Sequence, residues 1–202
     1  MRRIFDIIFS FVGLVLTLPI LLLICLIGFF DTRRPLFLQQ RVGRHQRPFT
    51  LVKFRTMRVG TAQVATHQAQ ASAITRFGAF LRKSKLDELP QLWNVLWGQM
   101  SLVGPRPCLF SQEELIAERA ARGVYDHRPG ITGLAQINDI DMSTPQLLAE
   151  TDARMLQCLG LGAYFKYIVL TVLGRGKGDR VRQPDANASS APDQPPLPGE
   201  QG

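Results

Sequence analysis

Residues 7–30 run for 24 positions without a charged side chain, and no other feature narrows the folding options of this chain as far. As one helix the run would extend about 36 Å, enough to cross a hydrocarbon layer of about 30 Å. A cleaved signal peptide fits poorly, because the run is long and no small-residue cleavage site follows Phe29 and Phe30. The flanking charges bear on topology. Arg2 and Arg3 precede the run and Arg33 and Arg34 follow it, whereas a single spanning helix keeps its positive charge mainly on the cytoplasmic side. Both ends therefore read as cytoplasmic. Pro19 removes a backbone donor and crowds the preceding turn, so a re-entrant helix-break-helix in one leaflet is available, with Thr17 able to satisfy a freed carbonyl. A spanning helix kinked at Pro19, with Gly13 and Gly28 as packing positions, fits the same residues. At this point the two stay open.

The remainder of the 202 residues suits one domain of ordinary size. Its charge is unevenly spread: residues 32–86 hold 12 Lys and Arg and no acid, within a net charge of +8. Such a patch faces an anion, and directly after an apolar run the nearest one is an anionic leaflet, at about 1 kcal/mol per basic residue. Nucleic acid is disfavoured by the adjoining membrane segment and by the lack of any helix-turn-helix, zinc-finger or RRM pattern. Cys25, Cys108 and Cys158 form no C-x-x-C spacing, and His45, His67 and His127 lie apart from other ligands, so neither a disulfide framework nor a zinc site is legible. A reducing compartment fits.

Within the basic stretch, residues 36–42 and 49–57 alternate as strands of a hairpin, with Lys53 and Arg55 on one face as two cations for a diphosphate. Residues 59–72 show no period and read as a mobile loop or weak helix. From 74 to 97 the spacing of Leu86, Leu89, Leu92, Trp93, Leu96 and Trp97 is helical. Ser84 is a candidate cap, and Pro90 requires the helix to start near Asp87 and Glu88. These two are the first acids after the 55 residues that lack one. A capping role would suffice for them. However, two stiff turns suggest more: Pro105 and Pro107 bracket Arg106, and Arg128 precedes Pro129 and Gly130, each holding a guanidinium ready for bidentate phosphate contact.

Four segments in this order, Lys53-Phe54-Arg55-Thr56-Met57, Asp87-Glu88-Leu89-Pro90-Gln91-Leu92-Trp93-Asn94-Val95-Leu96, the 101–107 turn and Arg128-Pro129-Gly130-Ile131-Thr132-Gly133 with Leu134-Ala135-Gln136, resemble the bacterial sugar transferases. The small monotopic phosphoglycosyl transferases are closest in length. The resemblance implies transfer of a sugar-1-phosphate from a UDP-sugar to polyprenyl phosphate with release of UMP, at the cytoplasmic face of the bacterial inner membrane. It also implies Asp87 as nucleophile of a covalent phosphosugar intermediate, Glu88 and Mg²⁺ as its support, both carboxylates as metal ligands, and a re-entrant N-terminal segment. Asp152 matches a family aspartate, though Ala153-Arg154-Met155 replaces the usual Tyr-Tyr-Val nearby. Leu18-Pro19 stands for the family's Ser-Pro, and Leu134 for a Trp. The chemistry suits the residues independently, since a carboxylate can attack phosphorus once cations neutralise the diphosphate.

Residues 155–173 are apolar but interrupted by Gln157, Gly160, Gly162 and Lys166, which favours an interfacial helix over a second span, with a core helix as the alternative. The Gly-rich stretch 174–178 lacks a preceding strand and is no nucleotide loop. Beyond Asp179 the composition predicts disorder. The expected fold is thus mixed α/β, mainly helical: a monotopic membrane protein with a re-entrant hairpin at 1–31, a catalytic domain at 32–173 with a short β-hairpin and amphipathic interfacial helices, and a disordered tail at 174–202. Asp87 and Glu88 are the expected catalytic residues, and Lys53, Arg55, Arg106, Arg128 and Asp152 bind substrate. The expected partners are the UDP-sugar, polyprenyl phosphate and anionic membrane lipids, with no nucleic acid and no oligomeric state legible. An N-acetylated, possibly 6-deoxy, hexosamine is the expected sugar, with a plain hexose second. Two competing functions remain testable, a non-enzymatic membrane adaptor and a UDP-sugar hydrolase.

Overall fold

The computed structural model describes residues 2–61 and 73–176. Most of the loop expected at 59–72 and nearly all of the tail lie outside the described residues. The apolar run forms α1 (Arg2–Thr32), one helix of 31 residues that continues through Pro19. The expected interruption at Pro19 is not seen; Thr17 Oγ1 donates to Gly13 O at 2.6 Å, two residues ahead of the proline. Asp6, Ser10, Ile24, Gly28 and Thr32 are buried, and Gly13, Thr17 and Leu21 between them are half-buried. These positions recur every three or four residues, so a single stripe of α1 packs on the domain along its whole length of about 46 Å.

The hairpin comprises β1 (Leu36–Val42) and β2 (Pro48–Phe54), antiparallel with Phe37 opposite Lys53. β2 ends earlier than the alternation predicts, and Met57 only bridges Ile74. The helical pattern of 74–97, with its expected helix start near Asp87 and Glu88, is realised as α2 (Arg76–Ser84), a 3-10 turn (Leu86–Glu88) and α3 (Gln91–Leu96). The break is Lys85, whose φ of 58° lies in the left-handed region and ends α2. Thr75 is the N-cap of α2, its hydroxyl accepting from Gly78 N at 2.9 Å; Ser84 does not cap the next helix but ends α2, its hydroxyl donating to Phe80 O at 2.9 Å and Leu81 O at 3.1 Å.

β3 (Ser101–Val103) then runs parallel to β4 (Gly130–Thr132), separated from it by α4 (Glu113–Ala121). A Cβ on Gly130 would fall 2.0 Å from the Gly104 nitrogen, so only glycine admits this approach. α5 (Leu134–Ile137), α6 (Pro145–Gln157) and α7 (Leu161–Val172) complete the chain. The apolar C-terminal stretch is therefore two helices: Met155 ends up buried on α6, and α7 buries Tyr164 while Val169, Val172 and Leu173 stay exposed. The main core gathers Phe49, Leu51, Val95, Met100, Val103, Met155 and Tyr164.

Candidate active site

The turn that carries the carboxylates is positioned from two sides. Phe54 of β2, Leu81 of α2 and Ile24 of α1 form one apolar cluster with Leu86 against it, which anchors the residue before Asp87. From the other side, the buried Asn94 side chain accepts from Val52 N at 3.0 Å and donates to Thr50 O at 2.7 Å. It pins α3 to β2, and with α3 the turn just before it. Asn94 lies inside the family-like segment, but only the fold reveals that it bridges two elements.

Asp87 is 3% exposed. Glu88 beside it accepts from Arg106 Nη2 at 2.6 Å, a charge-assisted bond of the strong kind. The proline-bracketed arginine is thus brought directly to the carboxylate pair. Lys53 and Arg55 share a face as the alternation predicts, lying 5.6 Å and 5.2 Å from the centre of the Phe37 ring. Arg55 also donates to Arg34 O at 2.9 Å and Leu36 O at 3.3 Å, clamping the link between α1 and β1. Burial first, then the neighbouring Arg34, draws its guanidinium below the usual range. Arg82, not singled out in the sequence, donates to Thr56 Oγ1 at 2.8 Å and ties α2 to this strand end.

Two expected substrate contacts sit elsewhere. Asp152 is fully buried; one of its oxygens accepts from Arg119 Nε at 3.0 Å and Nη2 at 2.6 Å. The same Arg119, itself 1% exposed, donates through Nη1 to Arg106 O at 2.8 Å. Among the described residues Asp152 therefore reaches the site through Arg119, which fixes the backbone whose side chain holds Glu88. Sequence reasoning missed Arg119; its one available signal was the spacing to Leu115, which shares its buried helix face. Arg128 donates to Gly98 O at 2.8 Å, beyond the opposite end of α3 from Asp87.

Among the described residues no group of three or more His, Cys, Asp or Glu comes together. The donors that could hold a hard cation here are the adjacent Asp87 and Glu88. That set fits Mg²⁺, which takes one or two carboxylates and completes its shell with substrate phosphates and water. The arrangement joins a buried carboxylate, a second one held by a guanidinium, and cations on the neighbouring strand, which is the equipment for chemistry at a phosphate.

Known proteins resemble the chain along its length. The sequence pattern of the family described as bacterial sugar transferase matches residues 1–176. A UDP-glucose:undecaprenyl-phosphate glucose-1-phosphate transferase of Caulobacter vibrioides is 38% identical over 85% of this chain and 68% of its own length. A putative undecaprenyl-phosphate N-acetylgalactosaminyl 1-phosphate transferase of Bacillus subtilis is 40% identical over 52% of this chain and 61% of its own. A UDP-galactose-lipid carrier transferase of Erwinia amylovora is 36% identical over 71% of this chain, which spans only 34% of that relative.

Proposed function

The chain belongs to the bacterial sugar transferase family, and from that premise we propose that it moves a sugar-1-phosphate from a UDP-sugar to polyprenyl phosphate, releasing UMP. The observation that carries this reading is the buried Asp87 beside a Glu88 held by Arg106. In the first step an Asp87 oxygen attacks the phosphorus that bears the sugar, and the bond from that phosphorus to the bridging oxygen breaks. UMP departs with the electron pair, leaving the phosphosugar esterified to the carboxylate. In the second, a polyprenyl phosphate oxygen attacks the same phosphorus and Asp87 is restored. Splitting the transfer lets both substrates use one set of charges. Arg106 keeps Glu88 oriented, and Lys53 supplies cationic charge from β2. Mg²⁺, when held by Asp87 and Glu88, neutralises phosphate charge.

The donor is proposed as a UDP-hexose, since relatives from several bacteria are named for glucose or galactose. N-acetylated hexosamine donors are the second choice. The membrane geometry belongs to the same proposal: α1 does not cross the bilayer but lies in one leaflet, with both of its ends on the side of the domain. What supports it is that Asp6 and Ser10 near one end of α1 and Gly28 and Thr32 near the other are all buried against one domain, while Val15, Leu16, Leu18, Leu22 and Leu23 are exposed.

A UMP-release assay across UDP-glucose, UDP-galactose and their N-acetylated counterparts, with and without polyprenyl phosphate, tests the reading. Release that depends on the acceptor is expected. Release without acceptor identifies a hydrolase, and none with any donor an adaptor. Asp87→Asn is expected to abolish both turnover and labelling of the polypeptide by sugar-phosphate; full turnover by that variant removes Asp87 as nucleophile.

A further inference from the structure

Beyond the far end of α3 lies a recess of about 340 Å³, walled by Arg2, Arg3, Arg44 and Arg128 together with Asp6, Asp126 and His127. Arg3 marks the place, because it donates to Val95 O at 2.6 Å and Leu96 O at 3.0 Å, the last carbonyls of α3. Neither Asp87 nor Glu88 lines this recess, so it is separate from the carboxylate pair. Two of its arginines are anchored alike. Arg44 donates through Nε to Asp126 O at 2.8 Å, and Arg128 through Nε to Gly98 O at 2.8 Å. Among the described residues neither guanidinium has a further acceptor, which leaves both terminal amino groups of each arginine available in a fixed orientation. Burial first, then Arg2 and Arg44 against an opposing Asp126, holds the His127 imidazole below its usual range, in keeping with a positive field.

We propose that this recess binds the phosphate group of an anionic ligand, with the terminal amino groups of Arg44 and Arg128 as its forked donors and Arg2 adding charge. A planar guanidinium held at Nε is arranged in advance for bidentate contact with phosphate oxygens. Arg2 and Arg3 stand a few residues ahead of the apolar run, which puts the recess near where the chain would meet the membrane, within reach of an acidic phospholipid headgroup as well as of a soluble phosphate ester. The site does not depend on the transfer reaction, and its test reads binding rather than turnover.

Equilibrium dialysis of the full chain in detergent would use inorganic phosphate and glycerophosphoglycerol as probes, with flotation on phosphatidylcholine vesicles with and without phosphatidylglycerol alongside. Arg44→Gln with Arg128→Gln is expected to weaken binding of at least one probe about tenfold or more. Arg106→Gln, at the other end of α3, is expected to leave that binding unchanged. If the double variant does not fold, Arg44→Gln alone, at an exposed position, is expected to give a several-fold loss. Preference for glycerophosphoglycerol, with weaker flotation of the variant on phosphatidylglycerol, identifies a lipid headgroup; phosphate binding with unchanged flotation identifies a soluble ester. Both results support the site. Equal affinity of wild type and variant for both probes overturns it.

Discussion

A buried ion pair is a costly way to hold a loop. Asp152 and Arg119 are both shielded from water, and burial raises the Asp152 carboxyl even with the guanidinium against it. What the pair delivers is position: Arg119 has one amino group left for the Arg106 carbonyl, and Arg106 in turn holds Glu88. Asp152→Asn removes the counter-charge and leaves Arg119 poorly compensated, with an expected loss of roughly 3–5 kcal/mol, read as a lowered unfolding midpoint in detergent. Replacing both residues by apolar ones of similar size, Arg119→Met with Asp152→Leu, is expected to recover much of that stability but not kcat, because the Arg106 carbonyl then lacks its donor. Recovery of both would reduce the pair to packing. Here lies the limit of what the residues alone reveal. Asp87, Glu88 and Arg106 are legible, since prolines stiffen the backbone around them and the two acids stand alone after a long basic stretch. That Asp152 acts through a partner 33 positions away is not, because contact between α4 and α6 depends on how the chain folds back.

At the level of elements, the same long-range dependence explains why helix and strand types were legible while their ends were not. The spacing over 74–97 is helical and Pro90 sets a helix start near Asp87 and Glu88, but nothing in the residues marks Lys85 as the left-handed residue that ends α2; packing of Leu81 and Leu86 around Phe54 decides that. The polar anchor of α1 is equally non-local. One Asp6 oxygen accepts from Ser101 Oγ at 3.0 Å, Leu102 N at 2.9 Å and Tyr164 Oη at 2.8 Å, joining α1, β3 and α7. Burial, then this bond, holds the Tyr164 phenol above its usual range, so it stays a donor at any working pH. Asp6→Ala strands three donors, at least two of them buried, at about 1–3 kcal/mol each, whereas Tyr164→Phe removes one bond at about 1 kcal/mol. Asp6→Asn, which keeps an acceptor oxygen, is expected to fall between them. Thermal unfolding of the three variants in one detergent checks that order; an Asp6→Ala protein no weaker than Tyr164→Phe would mean that apolar packing alone fastens α1.

On the scale of the whole molecule, the exposed apolar groups are concentrated on the elements that would meet a bilayer. The outward faces of α1 share this character with Trp93 and Trp97, which stack at 5.0 Å on α3, and with Val172 and Leu173 at the end of α7. Aromatic rings of this kind settle at the headgroup level, so the domain is expected to rest on the membrane rather than hang from a single stalk. A helix that spans the bilayer leaves one end across it, yet both ends of α1 here touch the same body. Arg3 reaches the carbonyls that end α3, and Arg34 O accepts from Arg55. The two topologies differ in where the N-terminus lies. With one epitope placed ahead of Met1 and another after Gly202, protease added to inside-out vesicles is expected to remove both, and protease added to right-side-out vesicles neither. Loss of the leading epitope only from the outer side would establish a spanning helix. It would also require Arg3 and Asp6 to leave contacts that tie α1 to α3, β3 and α7, and those are the contacts on which the carboxylate turn and the arginine recess both depend for their placement.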